Sequence, residues 1–251
     1  IIAKPVSGIA LRAVLRNYDP EAGRHAPGTR TRQLNGVLVR EGIANGALQL
    51  AYQPKVDLRS GRLVGAEGLI RWNDPVLGIQ HPTNVVAAAE QCGLIDELTI
   101  VTLTRVVEDW HVLAGRGWPI NLAVNLSMLS LSRDGIVEEL REAVRRAGGA
   151  PSDFTFEITE THLAEDVTLI LETLLRLRLL GFRLALDDYG TGAATMQLLS
   201  QLPTTELKID RSFVVAGPRS ARGRAFLRSA VELGTLMRQT IVAEGVETEE
   251  Q

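Results

Sequence analysis

The chain has 251 residues, 45% apolar and 23% charged, which is enough apolar material for a sizeable core. Its formal charge is −3, from 27 Lys and Arg against 30 Asp and Glu, so it has no basic field to hold a nucleic-acid polymer. Cys92 is the single cysteine, which excludes an internal disulfide or a thiolate metal site, and no run approaches the ~18 apolar residues of a membrane span; a cytoplasmic protein without a membrane segment is expected.

In chain order, Ile1 to Pro5 reads as a short apolar strand, and Leu11, Val14 and Leu15 space out as a helix face. Residues 18–32, YDPEAGRHAPGTRTR, carry Pro, Gly and Arg without apolar periodicity and read as a linker. The expected division is therefore 1–17, linker 18–32 and a main domain 33–251. Leu48–Val56 and Leu63–Ile70 are consecutive strand candidates joined through Arg59-Ser60-Gly61-Arg62, a hairpin pattern.

Beyond the hairpin the rhythm becomes strand then helix. Strands are expected near Ile120–Leu126, Phe154–Thr159, Arg183–Asp187, Glu206–Ile209 and Thr240–Ala243. Helices are expected over Thr83–Gln91, Asp96–Ala114, Arg133–Ala147, His162–Leu180, Thr195–Gln201 and Arg222–Arg238. In the fourth of these, Leu163, Val167, Ile170, Leu174 and Leu177 recur at helical spacing, and Gly181 stands where a C-terminal cap belongs. Repeated strand–helix units imply a parallel sheet, and the length suits an α/β barrel.

The apolar strands carry polar groups near one end. Glu67 lies in AEGLIRW, Asn125 in LAVNLS, Glu157 in FEITE, Asp187 and Asp188 in LALDD, Lys208 and Asp210 in LKID, and Glu244 in IVAEG. One such residue alone is more often a helix cap or a solvated loop residue. Together they fall where parallel α/β folds place their active site, at the carboxyl ends of the strands. So many carboxylates share a pocket only if cations compensate them. The donors are oxygens, and His25, His81, His111 and His162 have no paired spacing, so two hard cations, Mg²⁺ or Mn²⁺, are expected in place of zinc. A two-cation site of this kind suits phosphodiester hydrolysis.

YQPKVDL, GAEGLIRW, AVNLS, FEITE, DDYGTG, LKIDRSF and VAEGVETEEQ, in this order, resemble the EAL domain family of bacterial cyclic di-GMP phosphodiesterases. The resemblance covers Leu34 to Gln251 and implies a TIM-barrel variant whose first strand is antiparallel to the rest. It implies Glu67, Asn125, Glu157, Asp187, Asp188 and Glu244 as metal ligands, with Lys208 positioning or deprotonating the attacking water. It implies that Gln53, Arg71 and Asp210 contact substrate and that Glu160 holds the loop from Asp188 to Gly192. Cyclic di-GMP would be cleaved to linear pGpG by a homodimer, with Ca²⁺ inhibitory because its looser coordination supports binding better than catalysis. Two other outcomes stay open: a receptor that binds the nucleotide without cleaving it, and a protein-docking module.

Three features depart from the family pattern. Gly68 stands where the signature has Ala, and Ala193, Ala194 and Thr195 replace an aromatic residue and two serines. The sequence also lacks the segment that supplies the family's last strand, without which a barrel would be open, so that tail is expected to be disordered or to lie outside this sequence. The start, IIAKPVSGIALRAVLRN, is similar to the end of a response-regulator receiver domain, with Lys4-Pro5 closing its final strand; the alternative is a linker helix after a strand.

Overall fold

The computed structural model describes residues 2–3, 34–74, 77–159, 167–192 and 196–248. The expected linker and the helix face at Leu11 to Leu15 lie outside them.

The main domain opens on a helix that propensity conceals. α1 (Gly36–Asn45) contains two glycines, yet it is started by Asn35, whose side chain accepts from Leu38 N at 3.1 Å, and stopped at Gly46 with φ 79°. Its stability comes from packing, because Val39 and Ile43 are buried in a small core with Trp72, Val85 and Leu98. Gly42 is required there, since a Cβ would lie 2.1 Å from the Trp72 ring.

The hairpin forms as expected. β2 (Leu48–Asp57) pairs antiparallel with β3 (Leu63–Asp74), and Asp57 Oδ1 closes the turn by accepting from Ser60 N at 2.7 Å. A short β4 (Gly78–Gln80) extends this antiparallel edge. Next come α2 (Pro82–Gln91), α3 (Ile95–Gly115), β5 (Asn121–Asn125), the one-turn α4 (Met128–Leu131), α5 (Ile136–Arg146) and β6 (Phe154–Thr159). They are followed by α6 (Val167–Leu179), β7 (Arg183–Tyr189), α7 (Met196–Gln201), β8 (Glu206–Ile209), α8 (Arg211–Ala216), α9 (Ala221–Leu236) and β9 (Thr240–Ala243).

One helix start differs from expectation. α5 begins at Ile136 and not at Arg133, because Gly135 adopts φ 84° and Arg133 turns aside to pair with Asp96 at 2.5 Å and Glu139 at 2.8 Å. The first residues expected in α6, 162–166, lie outside the described part; from Ile170 on the apolar face is as expected, with Ile170, Leu174 and Leu177 buried.

β3, β5, β6, β7, β8 and β9 run parallel in that order, and β2 is antiparallel to β3. β1 (Ile2–Ala3) pairs antiparallel with β2 and parallel with β9, so the described strands close a ring. The physical reason is that two facing sheet edges present unpaired N–H and C=O groups that any short extended segment can satisfy. Phe154, Phe156 and Phe182 are fully buried between the sheet and its helices, each stabilising the fold by roughly 1.5–3 kcal/mol.

Candidate active site

The register lines up the inner face of the ring. On β2 and β3, Lys55, Gln53, Ala51 and Gln49 stand opposite Gly65, Glu67, Leu69 and Arg71. Directly opposed residues share a face, so Gln53 and Glu67 project together. Arg71 lies ~13 Å further toward the carboxyl rim than Glu67, four residues at ~3.3 Å each. Glu157 is opposite Asn125 of β5 and Ala185 of β7, while Asp187 is opposite Thr159.

These registers converge on Lys208, whose side chain is fully buried. Its ammonium lies 2.5 Å from Glu157 Oε2, 2.8 Å from Asp187 Oδ1, 3.1 Å from Glu244 Oε1 and 3.2 Å from Glu67 Oε2. Asn125 Nδ2 donates to Glu67 Oε1 at 3.2 Å. Beneath this group Lys55 Nζ, also buried, meets the other oxygen of Glu157 at 2.9 Å and pairs with Glu206.

Burial pulls the Lys208 ammonium toward losing its proton, but Glu157, Glu67, Asp187 and Glu244 outweigh burial and hold its pKa well above the ordinary lysine value. Lys208 is therefore a fixed cation in this arrangement. The Asp187 carboxyl is pushed up to about 6, first by burial and then by Glu244 and Glu67, with Lys208 opposing them.

The turn after β7 is bent to present Asp188. Its φ is 55°, a left-handed conformation that Asp tolerates better than most residues, and its N–H donates to Asp187 Oδ1 at 3.0 Å. Gly190 follows at φ 102° in a space only glycine fits, since a Cβ would lie 2.5 Å from Phe226 and 2.6 Å from Phe213. Those two rings stack with centroids 3.7 Å apart and form the wall behind the turn.

The donor set fits a pair of hard cations. Glu67, Glu157 and Asp187 bring carboxylate oxygens within 4.8 Å of one another, and Asp187, Asp188 and Glu244 form a second such group, so Asp187 is common to both. Lys55 and Lys208 balance Glu157 and Glu206. The ligand atoms of both groups are carboxylate oxygens, the donors that hard divalent ions take.

The other expected site residues are less central. Arg71 Nη1 donates to Ile70 O at 2.9 Å on the same inner face as Glu67. Asp210 belongs to neither carboxylate group and caps α8, accepting from Ser212 N at 3.0 Å. Glu160 lies outside the described residues. Sequence reasoning passed over Lys55 and Glu206, although Lys55 stands two residues from Gln53 and period-2 alternation already put it on the inner face.

A profile of the EAL domain matches residues 38–251. The chain belongs to the EAL domain family. The EAL domain here is 35% identical over 251 residues to the cyclic di-GMP phosphodiesterase RocR of Pseudomonas aeruginosa, a match covering 100% of this chain and 64% of RocR. It is 35% identical over 214 residues to the cyclic di-GMP phosphodiesterase NbdA of the same organism, covering 85% of this chain and 27% of NbdA. The chain thus spans less than two thirds of the length of either relative. Among solved structures, the c-di-GMP complex of the PaMucR phosphodiesterase matches this EAL domain with TM-score 0.78 at 35% identity, over 84% of this chain and 86% of that one. No helix among the described residues is long and apolar enough to cross a membrane.

Proposed function

We propose that this EAL domain hydrolyses cyclic di-GMP to linear pGpG in a reaction that requires two divalent cations, Mg²⁺ or Mn²⁺. The observation that carries the reading is the pair of three-carboxylate groups sharing Asp187 at the carboxyl ends of parallel strands, with a buried ammonium beneath them. The names of RocR, NbdA and PaMucR support the substrate.

Glu67, Asn125, Glu157, Asp187, Asp188 and Glu244 would hold the cations. Bound there, the cations supply Lewis acidity that eases removal of a water proton and offsets charge on the departing oxygen. Water attacks phosphorus in line, the bond to the ribose 3′ oxygen breaks, and that oxygen gains the proton. Lys208, within 3.2 Å of four of these carboxylates, keeps them oriented and would position the attacking water or take its proton. Gln53 beside Glu67 offers an amide to the substrate. Arg71 nearer the rim offers a fork suited to two phosphate oxygens.

The proposal extends to a cytoplasmic homodimer with 18–32 a linker and 33–251 the catalytic unit; of the two readings of residues 1–17, a strand followed by a linker helix agrees with the pairing of Ile2–Ala3 in the ring, and the end of a receiver domain does not. The central test is conversion of cyclic di-GMP to pGpG, followed by chromatography with Mn²⁺ or Mg²⁺ present. Conversion that is lost in Glu67→Ala is expected. Tight binding without pGpG would replace the enzyme reading with a receptor, and absence of both would leave a docking module.

A further inference from the structure

We propose that Lys55 is a positioning residue for the metal centre, clamping Glu157 from below so that its second carboxylate oxygen faces Lys208 and the cations. The inference rests on the two-cation reading of the site and deepens it.

Glu157 is fully buried, and each of its oxygens has its own ammonium: Oε1 takes Lys55 at 2.9 Å and Oε2 takes Lys208 at 2.5 Å. Two donors on opposite oxygens fix the plane of the carboxylate, which one donor alone leaves free to rotate. Lys55 is itself tethered, because Glu206 of β8 holds the same ammonium. The chain Glu206, Lys55, Glu157, Lys208 therefore links β8, β2 and β6 across the interior and returns to β8. Local backbone supports the aim of Lys55: the β2–β3 register shifts between Lys55 and Val56, and such bulges redirect side chains.

An ordinary structural ion pair would not need this placement. Lys55 is 3% exposed, and burying a charge is costly unless well-placed partners compensate it. An apolar side chain at this position would fill the ring floor without that cost, but Glu157 would then have one oxygen unheld beside the cations. Groups that hold a metal ligand from behind commonly govern metal affinity as well as orientation.

The test is Mn²⁺ titration of the full chain, with free Mn²⁺ followed by electron paramagnetic resonance. Lys55→Met, checked for folding by circular dichroism, should raise the Mn²⁺ dissociation constant by about tenfold to a hundredfold. In a Glu157→Gln background the same change should add nothing, because Lys55 acts through Glu157. An unchanged constant in folded Lys55→Met overturns the proposal, as does a full further loss in the Glu157→Gln background. Should Lys55→Met fail to fold, Lys55→Leu, which also removes the donor to Glu157, is judged by the same criteria. Absence of Mn²⁺ binding to the wild type would overturn the two-cation reading and this proposal together. Mn²⁺ binding without pGpG formation would reject the enzymatic reading while the role of Lys55 is still decided by the titration.

Discussion

Lys208 and Glu157 lie 51 positions apart in sequence and meet at 2.5 Å inside the ring, both shut off from solvent. Three further carboxylates converge on the same ammonium, so Lys208 balances much of the charge that the strand ends bring together. Its removal should therefore affect stability and catalysis in different ways, according to whether cations are present.

Lys208→Met is expected to abolish pGpG formation and to destabilise the metal-free protein by about 3–5 kcal/mol, the usual cost of leaving a buried charge without its partner. Mn²⁺ should recover more thermal stability in the variant than in the wild type, since the cations then neutralise the stranded carboxylates. Thermal unfolding with Mn²⁺ and with EDTA, alongside a chromatographic assay, measures both effects. Undiminished turnover would remove Lys208 from the mechanism.

Asp187 sets a pH dependence whose sign follows from its raised pKa, about 6 against an ordinary 3.8. Above about 6 the carboxylate is ionised and available to a cation; below it a proton competes, so the Mn²⁺ dissociation constant should rise as pH falls, by up to about tenfold per unit for one displaced proton. The metal-free fold behaves oppositely. The contribution of Asp187 to stability is fully present below 3.8 and is lost as pH rises through about 6. Mn²⁺ titrations from pH 5 to 8 check the first statement, and a pH series of unfolding midpoints in EDTA checks the second.

Gly68→Ala restores the family signature and tests whether its missing methyl matters to chemistry. The added Cβ would face away from Glu67, 3.1 Å from Val106 Cγ2 and 3.4 Å from the Tyr52 ring. Strand glycine is worth relieving by roughly 0.5–1 kcal/mol, and crowding against Val106 opposes that gain. A net stability change within about 1 kcal/mol and unchanged Mn²⁺ affinity are expected. A marked loss of metal affinity would show that the backbone of Glu67 had been displaced.

Ca²⁺ should separate binding from turnover. Its larger radius and looser oxygen geometry allow it to occupy a carboxylate site without the tight arrangement that hydrolysis demands. With Ca²⁺ in place of Mn²⁺, cyclic di-GMP should raise the unfolding temperature while pGpG stays at background. Turnover in Ca²⁺ comparable to that in Mn²⁺ would contradict this reading of the site.

The sequence by itself determined the alternation of strands and helices, the antiparallel hairpin and the position of each carboxylate on its strand, because period, turn chemistry and motif order are local properties of the chain. α1 was not legible: its two glycines weaken propensity, and only burial of Val39 and Ile43 against Trp72 makes it a helix. The sequence also did not show that Asp210 caps α8, since its bond from Ser212 depends on where that helix begins. Alternation put Lys55 on the inner face, but its partners Glu157 and Glu206, 102 and 151 residues away, were set only by the tertiary fold. Which side chains meet across a closed sheet depends on strand order and register around the whole ring, and no window of sequence contains that information.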